Sequence, residues 1–87
     1  MPSLAFPHKL SLRRLTVDEA LYRLDVYLDA AFLHRRSPVR IIHGKGTGRV
    51  RNAVWERLAE HPLVRSYELA LYGQGDAGVT IVTLEER

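Results

Sequence analysis

Two short apolar runs flank one capped amphipathic helix early in the chain, and that unit constrains the fold more than any other feature. Leu10-Ser11-Leu12-Arg13 alternates apolar and polar residues, as a half-buried strand does. Thr16-Val17-Asp18-Glu19 has capping-box spacing, so Thr16 and Glu19 can each satisfy the other's backbone N–H. Leu21, Leu24, Leu28 and Ala31 then recur at spacings of three and four, which puts one apolar stripe on a long helix. Ser37-Pro38 stops it, and Val39 to Ile42 is a β-branched run suited to a buried strand. Strand, crossover helix and strand favour parallel pairing through a right-handed connection.

Further along, Val50, Val54 and Leu58 mark a second amphipathic helix that His61-Pro62 ends. Val64 to Tyr72 predicts a third strand, Gly73 to Gly78 a turn, and Val79 to Leu84 a fourth strand able to pair with the third as a hairpin. The order is β-α-β-α-β-β. A chain of 87 residues makes one domain and cannot easily cover both faces of a sheet. The expected class is therefore α/β, a two-layer α/β sandwich in which two helices cover one face of a mixed four-stranded sheet. Residues 1–9, without a charged n-region or a long apolar run, read as a linker and not a signal peptide, with the domain at 10–87.

Composition excludes several classes. With no cysteine there is no disulfide framework and no thiolate metal site, which fits a reducing, cytoplasmic setting. No apolar stretch approaches the roughly 20 residues that cross a bilayer, so no membrane partner is expected. None of His8, His34, His43 and His61 has metal-ligand spacing with another, so no zinc site and no bound cofactor are expected, a need for a divalent metal being left open. The net charge of +3 is modest, but its distribution is not. Arg35, Arg36, Arg40, Lys45, Arg49 and Arg51 fall in a stretch without one acid.

Within that stretch, Ile41-Ile42-His43-Gly44-Lys45-Gly46-Thr47-Gly48-Arg49-Val50-Arg51 joins a strand to a helix through three alternate glycines. Such a backbone can approach a ligand closely, and a helix starting just after it favours an anion there. Lys45, Arg49 and Arg51 add positive charge, and His43 can move protons near neutral pH. The spacing is neither a P-loop nor a dinucleotide fingerprint. The bland alternative is a tight turn that simply needs glycine. Arg13 and Arg14 would lie at the same sheet edge as His43 if the first two strands are parallel. Trp55 and Tyr72 could stack on bases, though aromatics on such a domain are more often core. Gly75-Asp76-Ala77-Gly78 is either a simple hairpin turn or a second loop beside the first.

Ile42-His43-Gly44-Lys45-Gly46-Thr47-Gly48, followed by Val50-Arg51, resembles the long His-Gly-Lys-Gly-Thr-Gly signature of the Smr (small MutS-related) domain. The likeness covers about residues 10 to 84. Leu15-Thr16-Val17-Asp18-Glu19-Ala20-Leu21 is similar to the helix start of MutS2-type members, and Gly78-Val79-Thr80 resembles the last motif. Within the family the chain is most similar to the C-terminal domain of bacterial MutS2 proteins. The resemblance implies a two-layer α/β fold like the C-terminal domain of bacterial translation initiation factor three. It also implies DNA or RNA binding and, in several members, nicking endonuclease activity. Roles in suppressing recombination, in DNA repair or on stalled ribosomes would follow through a parent protein, the isolated domain being a monomer.

On that resemblance Gly44, Gly46 and Gly48 would present backbone donors to a phosphate, with Thr47, Arg49, Arg51 and Arg14 completing the nucleic-acid contact. Lys45 and Arg13 would stabilise charge on the scissile group, and His43 would act as general acid or base. The family's first motif reads Leu-Asp-Leu-His/Arg-Gly, where this chain has Leu10-Ser11-Leu12-Arg13-Arg14. Arg13 is kept, Ser11 replaces the acid, Arg14 replaces the glycine, and Asp76 stands where glycine is common. Serine cannot orient a catalytic group as a carboxylate does. The alternative reading is thus a non-catalytic DNA- or RNA-binding module that has lost hydrolysis.

Overall fold

The Thr16–Glu19 spacing closes as a reciprocal cap in the computed structural model, which describes residues 6–70 and 78–86. Glu19 N–H donates to Thr16 Oγ1 at 3.2 Å, and Thr16 N–H donates to Glu19 Oε1 at 3.0 Å. This starts α1 (Val17–Leu33). The other elements are β1 (Lys9–Ser11), β2 (Val39–Ile42), α2 (Arg49–Glu60), β3 (Val64–Leu69) and β4 (Val79–Leu84). The order is the one the sequence predicts.

The four strands form one mixed sheet in the order β1-β2-β4-β3. β1 and β2 are parallel, as the crossover requires, and Leu10 sits beside Ile41. β4 runs antiparallel to both neighbours, pairing Ile41 with Thr80 and Tyr67 with Val82. Because strand side chains alternate, this register puts Val39, Ile41, Thr80, Val82 and Leu84 on the inner face. Ala20, Leu24, Leu28 and Ala31 of α1 and Val54 and Leu58 of α2 join those apolar residues in one buried cluster. The two-layer α/β arrangement is thus the observed one.

Several boundaries differ from expectation. Leu21 is only half-buried, whereas Ala20 and Tyr27 complete the buried stripe. The regular strand ends at Ser11, and Leu12 adds one further bond by donating its N–H to Ile42 O at 2.7 Å. Residues 6–9, expected as linker, are bound to the domain. Phe6 stacks on Tyr27 and His34 with centroids 5.5 and 4.6 Å away. Tyr27 Oη donates to Pro7 O at 2.7 Å, and Arg36 Nη2 donates to Phe6 O at 3.0 Å. Burial pushes the Tyr27 phenol up to about 12, against the opposing charge of Arg36. Tyr72, Asp76 and the rest of the 73–77 turn lie outside the described residues.

Candidate functional site

β2 delivers His43 to the carboxyl edge of the sheet, and the Leu12–Ile42 bond brings Arg13 to the same edge. There the chain turns at Gly44, whose φ of +81° suits glycine. His43 N–H and Gly44 N–H both donate to Gly78 O at 3.0 Å. A Cβ at Gly78 would stand 3.6 Å from the Gly44 backbone and 3.4 Å from Lys45 Cγ. Of the two placements open for the second loop, its Gly78 end therefore lies against the first. The Gly44 N–H, expected as a phosphate donor, is thus engaged within the fold. Among the described residues the amides of Lys45, Gly46, Thr47 and Gly48 have no hydrogen-bond partner, so an open donor run begins just after Gly44.

The run leads into α2, whose start contrasts with that of α1. The first turn of α1 carries the reciprocal cap and the acids Asp18 and Glu19. In α2 the N-cap is Gly48 at φ +84°, with no side-chain cap bond and no acid in the first turn. Arg49 and Arg51 occupy that turn instead. Only a 3.4 Å bond from Arg49 N–H to Thr47 Oγ1 relieves the exposed amides. Cations at the positive end of a helix dipole are unfavourable, typically by about 0.3–1 kcal/mol each, unless an anion offsets them.

Gly46 to Arg51 form one wall of a cleft of about 460 Å³, with His43 at its base and Leu15 to Asp18 opposite. Both helix N-termini therefore open on the same space. Among the described residues Asp18 is its only lining acid, and sequence reasoning missed it by treating it as part of the cap. Arg51 folds back over Gly48, where a Cβ would meet its Nη2 at 3.1 Å. Arg13 lies across Gly44, its Cγ 3.7 Å from where a Cβ would stand. Arg13 and Lys45 thus follow the Gly44–Gly78 seam and are not cleft walls. Arg14, exposed just beyond, has φ +67°, a left-handed conformation that glycine adopts without the cost an arginine incurs.

His43 is 7% exposed, and both ring nitrogens are engaged. Nδ1 is 3.0 Å from Gly44 O and Nε2 is 2.7 Å from Thr80 Oγ1. Thr80 also accepts a bond from Trp55 Nε1 at 2.9 Å. The Trp55 ring meets Tyr67 edge-on at 5.0 Å, the structural use of that aromatic. Burial holds the His43 imidazole below its ordinary value of 6.5, the Gly44 bond opposes this, and Arg51 reinforces it. The unfolded chain therefore takes up a proton before the folded one does. The contribution of His43 to stability is complete above about pH 6.5 and is lost as pH falls towards the lower folded value. Thermal unfolding followed from about pH 7.5 to about pH 5 checks this: the wild-type midpoint falls more steeply than that of His43→Asn. Equal slopes would contradict it.

The remaining histidines serve elsewhere. His61 caps α2 and accepts a bond from Leu63 N–H at 3.2 Å, while His34 stacks on Phe6. No group of three or more potential metal ligands occurs among the described residues. No described helix is long and apolar enough to cross a membrane.

Compared with known proteins, the chain matches the Smr domain family over residues 10–85. It is 53% identical over 74 residues to endonuclease MutS2 of Lachnospira eligens, covering 85% of this chain and 9% of that protein. It spans about a tenth of the length of the curated relatives it matches. Among solved structures it is similar to the Smr domain of Thermus thermophilus MutS2, with TM-score 0.87 and 43% identity over 88% of this chain and 96% of the other. YdaL, a stand-alone small MutS-related protein of Escherichia coli, gives TM-score 0.84 and 30% identity, covering 91% of this chain and 65% of that one.

Proposed function

The chain belongs to the Smr domain family, and on that premise we propose that its glycine-loop edge grips the phosphate backbone of DNA or RNA and nicks it. The observation that carries this reading is the N-terminus of α2, uncapped by a side chain and bearing Arg49 and Arg51. A phosphate there would satisfy the open amides and neutralise both cations, which turns a local cost into binding. Lys45 and Arg13, along the adjoining seam, are placed to hold the flanking backbone.

Hydrolysis would proceed by attack of water on phosphorus: the bond from the water oxygen to phosphorus forms as the bond to the leaving oxygen breaks, and the proton the water gives up is balanced by one that the leaving oxygen takes from solvent. Charge building on the phosphoryl oxygens would meet the amides of Gly46 to Gly48 and the nearby cations. Asp18 is the carboxylate available to orient the water. His43 is not given that task, because Gly44 O and Thr80 Oγ1 already occupy its ring nitrogens. The relatives named as endonucleases support the activity. Roles in recombination, DNA repair or at ribosomes, in a cytoplasmic setting, would belong to a longer protein acting through this edge.

A second reading is a module that binds without cutting, and Ser11 favours it. Its exposed hydroxyl makes only a 3.5 Å contact with Arg13 N–H and places no carboxylate beside the seam. Nicking of supercoiled plasmid by the wild type, Lys45→Ala and Asp18→Asn, each with and without EDTA, separates the two. Cleavage requires a wild-type rate at least about 10²-fold above both variants. Equal traces in all three would leave a binding module. Loss in EDTA would mean that cleavage requires a divalent cation.

A further inference from the structure

Trp55, Thr80 and His43 form a chain of buried hydrogen bonds whose direction has one solution. An indole N–H only donates, so Thr80 Oγ1 accepts from Trp55. A backbone carbonyl only accepts, so His43 Nδ1 carries a hydrogen and donates to Gly44 O. In the neutral ring Nε2 is then an acceptor, and the Thr80 hydroxyl hydrogen points to it across 2.7 Å. Every donor and acceptor in the series is used. The chain joins the middle of α2, the start of β4 and the glycine loop that itself leads into α2. Thr80 is fully buried among the aliphatic side chains Val39, Ile41, Val82 and Leu84 of the inner sheet face, where an unpaired hydroxyl would be costly.

We infer that Thr80 and Trp55 are positioning residues: acting through the His43 ring, they hold the Gly44 carbonyl and so fix the loop whose open amides follow it, and His43 carries no proton in strand cleavage. This rests on the phosphate-cradle reading for its function but not for its geometry. To exchange a proton with a substrate, the ring would have to leave both partners at once. Such a swing would also free the residue that leads into the Gly44–Gly78 contact. The same bonds that disqualify His43 as proton carrier make it a strut.

The first test is the ring-nitrogen NMR spectrum of His43 at neutral pH, which distinguishes the two tautomers whether or not the domain cuts nucleic acid. The Nδ1–H form is expected, and the Nε2–H form would overturn the inference. Thr80→Val removes the hydroxyl at nearly constant shape, and Thr80→Ser keeps it. Thr80→Val is expected to shift the emission of Trp55, the sole tryptophan, move the Lys45 and Gly46 amide resonances, and weaken oligonucleotide binding by about tenfold. Thr80→Ser restores all three. If Thr80→Val does not fold, Trp55→Phe makes the same claim for the loop resonances while keeping a ring against Tyr67. Unmoved loop resonances in a folded variant would refute the strut. His43→Asn, whose amide can still donate to Gly44 O but loses the bond to Thr80, is expected to weaken binding about as much as Thr80→Val does, with any nicking present falling no further than binding. Intact loop resonances and binding with abolished nicking would return the proton to His43. A wild type that neither binds nor nicks would defeat the phosphate-cradle reading, with tautomer and resonances still deciding the strut.

Discussion

Oligonucleotide affinity is expected to fall by about 10²-fold between about 50 and about 200 mM salt. Four cations, Arg13, Lys45, Arg49 and Arg51, border the seam and the cleft. If each neutralises one phosphate, log K falls with log salt at a slope of roughly −0.9 per contact for duplex DNA, and the fourfold rise in salt then gives that loss. Neutralising one cation should flatten the slope by about one contact, so Lys45→Ala loses affinity mainly at low salt. Anisotropy of a labelled oligonucleotide across a salt series reads both quantities. A slope near zero would mean that the basic stretch does not touch phosphate.

The largest effect on stability is expected from Leu28→Ala. Leu28 lies mid-way along α1, has no exposed surface, and belongs to the cluster that joins both helices to the sheet. Removing its side chain forfeits the transfer of three carbons from water and leaves a cavity, together costing about 2–5 kcal/mol. A domain of this size has about 4–13 kcal/mol of stability in all. The unfolding midpoint should therefore drop by about 10 °C or more. Val26→Ala on the same helix, at a side chain 52% exposed, should stay within about 0.5 kcal/mol of wild type. Urea unfolding of the pair checks the contrast, and similar losses in both would mean that the core lies elsewhere.

The fold was legible because its signals are local. The Thr16–Glu19 box and the recurrence of Leu24, Leu28 and Ala31 lie within one helix, and the β-branched runs at 39–42 and 79–84 are strands by their own composition. What escaped depends on residues distant in sequence. Phe6 to His8 looked like linker because their partners Tyr27, Arg36 and Arg40 come later in the chain. The glycine loop was visible, but Gly44's loss as a donor follows from a carbonyl thirty-four positions on, at Gly78. Asp18 belonged to an obvious cap, so its second position as a cleft wall had no signal of its own. Thr80 read as one more β-branched strand residue, and only the register beside Ile41 shows it beneath His43.

The measurement that bears most directly on the phosphate cradle is an amide chemical-shift titration of the wild-type domain with a short oligonucleotide. The expected result is a contiguous set of shifts at Gly46, Thr47, Gly48, Val50 and Arg51, with smaller ones at Arg13 and Lys45 and little change at Lys9 or Arg40. Shifts centred on Lys9 and Arg40, with the amides from Gly46 to Arg51 unmoved, would contradict the account and place any nucleic acid on another surface.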